Sequence, residues 1–167
     1  MKLYKLFRFK GGKLYPLYVF ANEEVEIGKT LYAKEGVKTE DGKVRSKLGK
    51  LAYRPGWHLT EFPIADHIGT RQPNGKLYQA KDSIWCEVEV DDSLYNHTED
   101  LAKAHKNYRD RCFHELHKGY YWFKTNASAK VNWMIASEMK VIRILTNEEV
   151  ATICRANGLE PQPISEI

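Results

Sequence analysis

The chain has 167 residues, of which 43% are hydrophobic and 29% charged, with a formal net charge of +4. A single domain spanning 1–167 accounts for this length, and such a core needs neither metal nor disulfide to fold. The balance excludes wholesale disorder, and no apolar run approaches the roughly 18–20 residues that cross a bilayer.

Lys5, Arg8, Lys10 and Lys13 break the first apolar stretch, so it reads as folded sequence and not as a secretory leader. Leu3–Phe9 and Leu14–Val19 flank Gly11-Gly12, the pattern of a β-hairpin, with Pro16 marking an edge or a bulge. Val25–Ala33 is expected to add a strand interrupted at Gly28. Residues 34–50 carry Lys34, Lys38, Lys43, Arg45, Lys47 and Lys50 with almost no large apolar side chain. They are expected to form a mobile basic loop, suited either to solvent or to an anionic ligand.

Leu51–Leu59 returns to ordered sequence, and Pro63–Ile68 is expected to make one helical turn. Pro73-Asn74-Gly75 marks a turn. Ile84–Val90 alternates with period two and predicts a half-buried strand. Leu101, Ala104, Tyr108, Cys112 and Leu116 recur three or four apart, predicting a helix capped by Thr98 and running to Lys118, with Gly119 beyond its end. Tyr120–Lys124 and Met139–Leu145 read as strands. Thr146 and Glu149 spell a capping box for a last helix that stops near Gly158. These elements predict an α+β fold with a mostly antiparallel sheet, split or continuous, of about six strands and two main helices.

Four groups of residues could carry chemistry. Arg54, Trp57 and His58 surround a Pro-Gly turn and combine a cation, a stacking surface and a titratable ring, the parts of a nucleotide site. Asp66, His67 and Arg71 form a second polar group; Asp66 reads as a cap or turn residue, while His67 and Arg71 are candidate ligand contacts. In the run Tyr120–Phe123 alternation puts Tyr121 and Phe123 on one face and Tyr120 and Trp122 on the other. Lys124, Thr125 and Asn126 then offer contacts at the strand end. Cys112, His114 and His117 lack a fourth ligand and any HExxH order, so no metal is expected. Cys86, Cys112 and Cys154 are odd in number and widely spaced, which suits free thiols in a reducing cytoplasm. GxGxxG, Walker A and GxSxG signatures are absent.

The ordered segments SKLGKLAYRPGWHL, PIADHIG, IWCEVEV, YYWFKTN and NWMIASEMKVIRILTNEEV resemble a family of bacteriophages and mobile elements. Its members occur alone or inside very large phage polyvalent proteins. This resemblance covers about residues 14–155 and implies a phage or prophage context in the cytoplasm of a bacterial host, without implying a reaction. GYYWFKTNASAK also resembles the tyrosine-bearing strand and loop of polymerase-type ADP-ribosyltransferases. That likeness implies catalytic roles for His58, Tyr121 and Glu138 and NAD as the candidate co-substrate, although Leu59 follows His58 where that family has Gly. A carboxylate beside the ribose would stabilise the oxocarbenium-like centre formed when nicotinamide leaves.

The expectation is a phage-encoded nucleotide-binding domain, ADP-ribosyltransferase-like and using NAD. The alternative is a non-enzymatic binder that sequesters a host nucleotide signal, or one that contacts nucleic acid or a host protein through the basic loop. No membrane partner is expected.

Overall fold

The computed structural model describes residues 1–36, 44–46, 49–51, 54–65 and 67–166. Its centre is β1 (Lys2–Lys10), a strand buried on both faces. Leu3 and Phe7 point to one side, Tyr4 and Leu6 to the other, and all four are core. β9 (Ser83–Glu89) pairs with β1 along most of its length, from Lys2↔Glu89 to Arg8↔Ser83. The opposite edge of β1 is shared. β6 (Trp57–Thr60) meets it at Tyr4↔Thr60, and β2 (Lys13–Tyr15) takes Arg8, Phe9 and Lys10. Gly11 and Gly12, at φ 59° and 76°, make the tight turn between β1 and β2, and positive φ at both positions suits a type I′ hairpin.

β3 (Thr30–Tyr32), β10 (Tyr120–Phe123), β11 (Trp133–Ala136) and β12 (Glu138–Ile144) complete an eight-stranded sheet in the order β10-β11-β6-β1-β9-β12-β3, with β2 beside β1. Every pairing within it is antiparallel. The fold is therefore α+β and mostly antiparallel, as expected, and its sheet is continuous with eight strands instead of about six. β11 was not anticipated. It is one run of chain with β12, broken only at Ser137, yet β6, β1 and β9 lie between the two in the sheet.

That order requires the sheet to curl around the Ser137 corner. The Ser137 N–H donates to Gly119 O (2.9 Å), its Oγ accepts from the Gly119 N–H (2.9 Å), and its carbonyl accepts from the Ala33 N–H (2.8 Å). Trp57 Nε1 donates to Leu31 O (3.1 Å) and ties β6 to β3 across the concave side. Leu3, Phe7, Leu59, Cys86, Val88, Met134 and Val141 fill that side.

On the other face α2 (Asn147–Ala156) sets Val150 and Cys154 against Tyr4, Leu6 and Trp85. Its capping box is formed: the Glu149 N–H donates to Thr146 Oγ1 and the Thr146 N–H donates to Glu149 Oε1, both at 3.1 Å. α1 (Thr98–Ala104) is far shorter than the apolar stripe predicted. The Arg111 side chain donates to the carbonyls of His105 (3.0 Å) and Lys106 (3.3 Å), acceptors that a continuing helix would need, and His105 is extended at φ −135°. A 3₁₀ turn at Tyr108–Asp110 follows. His97, and not Thr98, precedes the first turn; the Thr98 hydroxyl instead accepts from the Trp122 N–H (3.0 Å) and fastens α1 to β10.

Pro63–Ile68 is not helical, since the described part makes bends and an Ala65-to-Ile68 turn that bury Ile64 and Ala65. Much of the expected basic loop lies outside the described residues, namely 37–43 and 47–48. Within its span, β4 (Val44–Ser46) and β5 (Gly49–Leu51) pair as an antiparallel ribbon. β7 (Thr70–Arg71) and β8 (Leu77–Tyr78) form another around the expected turn. Among the described residues, no helix is long and apolar enough to cross a membrane.

Candidate anion-binding site

The Pro55-Gly56 turn lies flat on β11. Gly56 has φ 132°, and a Cβ there would sit 2.6 Å from Ile135 Cγ2. Beyond the turn, alternation along β6 separates the expected cluster. Trp57 joins the concave core, whereas His58 sits opposite Ile135 on the face that carries Tyr121. His58 Nε2 donates to Arg54 O at 2.8 Å, and the Arg54 guanidinium rests 4.6 Å from the Phe123 ring centroid. Burial raises the Tyr121 pKa, against the bond its hydroxyl accepts from the Phe113 N–H at 3.3 Å. The structure thus brings Arg54, His58 and Tyr121 to one face, but as packed side chains.

Burial pushes the His58 pKa down to about 4, with the Lys5 and Arg54 charges acting in the same direction against the Arg54 carbonyl bond. Its folded-state pKa lies below the ordinary 6.5, so the fold favours the neutral ring. This contribution is complete above pH 6.5 and is lost as pH falls towards about 4, amounting to roughly 3 kcal/mol. Urea unfolding across that window should show the acid-side loss shrink in His58→Gln. An imidazole NMR titration with a folded-state midpoint near 6.5 would contradict it.

Glu138 lies apart from this cluster. It opens β12 opposite Tyr32 and lines a depression of about 240 Å³ with Glu89, Asp91, Asp92, Lys140 and Met1. Neither His58 nor Tyr121 lines that space. His67 is exposed and meets the edge of Trp133 at 5.2 Å between centroids. Arg71 donates to Gly75 O at 2.8 Å within its own ribbon. Asp66 lies outside the described residues. Cys112 is buried and the His117 ring stacks on Phe113 at 3.8 Å; no three potential metal ligands gather among the described residues.

Lys124 and Asn126 mark a different place. A depression of about 360 Å³ is lined by Lys106, Asn107, Tyr108, Arg109, Asp110, Thr125 and Asn126. The broken helix creates it, because the chain turns at Tyr108–Asp110 over the end of β10. Lys124 Nζ lies 5.3 Å from the Tyr108 ring centroid and the Arg111 guanidinium 4.3 Å from it. Arg111 is already committed to two carbonyls, so Lys106 and Arg109 are the cations of the lining, with Lys124 beside it over the Tyr108 ring. Asn126 Oδ1 accepts from the Ser128 N–H (3.0 Å) and hydroxyl (2.8 Å), and its Nδ2 donates to Thr125 Oγ1 at 3.5 Å, which leaves one amide hydrogen to donate. Among the described residues, Asp110 is the one carboxylate of the lining. Sequence reasoning singled out Asn126 of this lining and Lys124 beside it, and left out Lys106, Tyr108 and Arg109 by assigning Tyr108 to a helical stripe. The dense basic run from Lys103 to Arg111 was the available signal.

The fold and this site define a small α+β domain with a cationic surface depression. Comparison of the chain with protein-family models, curated proteins and solved structures gave no match.

Proposed function

We propose that the chain is a phage-encoded, non-enzymatic binding domain for a phosphate-bearing, nucleotide-like ligand, held in the depression around Tyr108. The observation that carries this reading is that Lys106 and Arg109 share one lining with Thr125 and Asn126, with Lys124 over the Tyr108 ring beside it and Asp110 as the one carboxylate among the described lining residues. Such a set suits phosphate oxygens, which accept charge-assisted hydrogen bonds from several donors at once. Binding is favoured over ADP-ribosyl transfer because Glu138, the carboxylate that NAD cleavage would need, lines another depression.

Calorimetry with ATP, ADP-ribose and NAD at low and moderate salt tests the reading. At least one should bind, more weakly as salt rises. Replacing both Arg109 and Lys124 by Ala should lower its affinity about tenfold or more, equivalent to roughly 1.4 kcal/mol, while the circular dichroism stays that of the parent. The reading fails if none of the three binds at millimolar concentration, or if the double variant binds as tightly as the parent.

A further inference from the structure

The depression beside the end of β10 is built almost wholly from polar groups. Among the described residues its lining carries no aliphatic side chain, and Tyr108 supplies its one aromatic ring. That ring is half-buried and already engaged by cations: the Arg111 guanidinium lies 4.3 Å from its centroid and Lys124 Nζ 5.3 Å. Arg111 is fixed there by its bonds to the carbonyls of His105 and Lys106. The neighbouring rings of β10 are engaged as well. Phe123 is buried with the Arg54 guanidinium over it, and Trp122 packs against the concave core. The volume of about 360 Å³ stands at the low end of the roughly 300–1,000 Å³ of small-molecule pockets.

Resting on the phosphate-binding reading of this depression, we infer that it recognises the phosphate chain alone, so that its ligands are polyphosphates and nucleoside polyphosphates of any base, with the base left in solvent. A nucleobase is gripped by stacking on an aromatic face, and pockets that enclose flat organic groups are mainly apolar. The lining offers no apolar wall, and the face of Tyr108 serves as a seat for cations. What the depression does offer is donors. Lys106 and Arg109 in the lining, Lys124 beside it, the Thr125 hydroxyl and the remaining amide hydrogen of Asn126 match phosphate oxygens, which only accept. Asp110 is exposed, and the two lining cations outnumber it. A chain of phosphates can engage several such donors at once.

The test is calorimetry at low salt, without divalent cations, comparing ATP, GTP, CTP, UTP and inorganic tripolyphosphate. The four nucleotides should agree within about fivefold, and tripolyphosphate should bind no more than about fivefold more weakly than ATP, because a base stacked on an aromatic ring strengthens binding by at least about that factor. Tyr108→Leu should change the affinities for ATP and tripolyphosphate by the same factor. A wider spread among the nucleotides, a larger advantage of ATP over tripolyphosphate, or a loss in Tyr108→Leu confined to ATP overturns the inference and leaves the nucleotide-binding reading standing. Absence of binding by all five removes both.

Discussion

Gly119→Ala is expected to lower stability by about 3 kcal/mol or more, the scale of a mutation that forces a backbone to move. Gly119 has φ 124°, and an added Cβ would lie 2.4 Å from the Tyr95 carbonyl oxygen and 2.8 Å from His97 Nε2. Both contacts belong to the segment that seals the outer edge of β10. There the Tyr120 N–H donates to Tyr95 O (2.9 Å) and the His97 N–H donates to Tyr120 O (2.8 Å). Gly119 also pairs twice with Ser137 at the corner between β11 and β12, so a shift at one residue disturbs the edge and the bend together. Gly158→Ala is the control. It has φ 72° with no atom within 4 Å of the added Cβ, and should cost only about 1 kcal/mol. Thermal unfolding of both variants checks this, with a shift of roughly 2–4 °C per kcal/mol for a chain of this size. Equal melting temperatures for the two variants would mean that the close approach at Gly119 does not exist.

Phe7→Ala should be comparably severe, costing about 3–5 kcal/mol as expected for emptying a large aromatic site. Phe7 is fully buried and packs where β1 passes through the concave core beside Leu59 and Val88. The curled sheet surrounds this position, which limits how far neighbours can collapse into the void. Phe9→Ala, two residues further along the same strand, removes a side chain that is 36% exposed and should cost about 1 kcal/mol or less. Urea unfolding of the two variants should separate them by at least about 2 kcal/mol. A smaller gap would show that the concave side is not the main core.

Local chemistry was legible in the chain wherever neighbouring residues decide the outcome. The Gly11-Gly12 hairpin, the alternation of β9 and the Thr146–Glu149 box each depend on residues that meet within a few positions, and all are present. The α+β class followed from these pieces. The long helix after Thr98 did not form, because its apolar spacing competes with an Arg111 side chain that takes two of its carbonyls, and periodicity carries no information about that contact. β11 escaped notice because one of its neighbours in the sheet, β6, is remote in sequence and only pairing makes four residues a strand.

The same divide runs through the candidate site. Sequence identified Arg54, Trp57, His58 and Tyr121 by residue type, and the fold directs Trp57 to one face of the sheet and packs the other three on the opposite face. Lys124 and Asn126 became part of a site only because the chain breaks its helix and lays Tyr108 and Arg109 beside them. Lys5 reads in sequence as one basic residue among several. Its position on the concave face, chosen by the register of β1 between β6 and β9, is what sets it beside the Phe7 and Trp57 rings. Residue types and short-range pairs thus came from the chain itself. Which faces they occupy, and which of them meet, was decided by strand order and by the bend at Ser137, because burial and electrostatics depend on neighbours that sequence distance does not reveal.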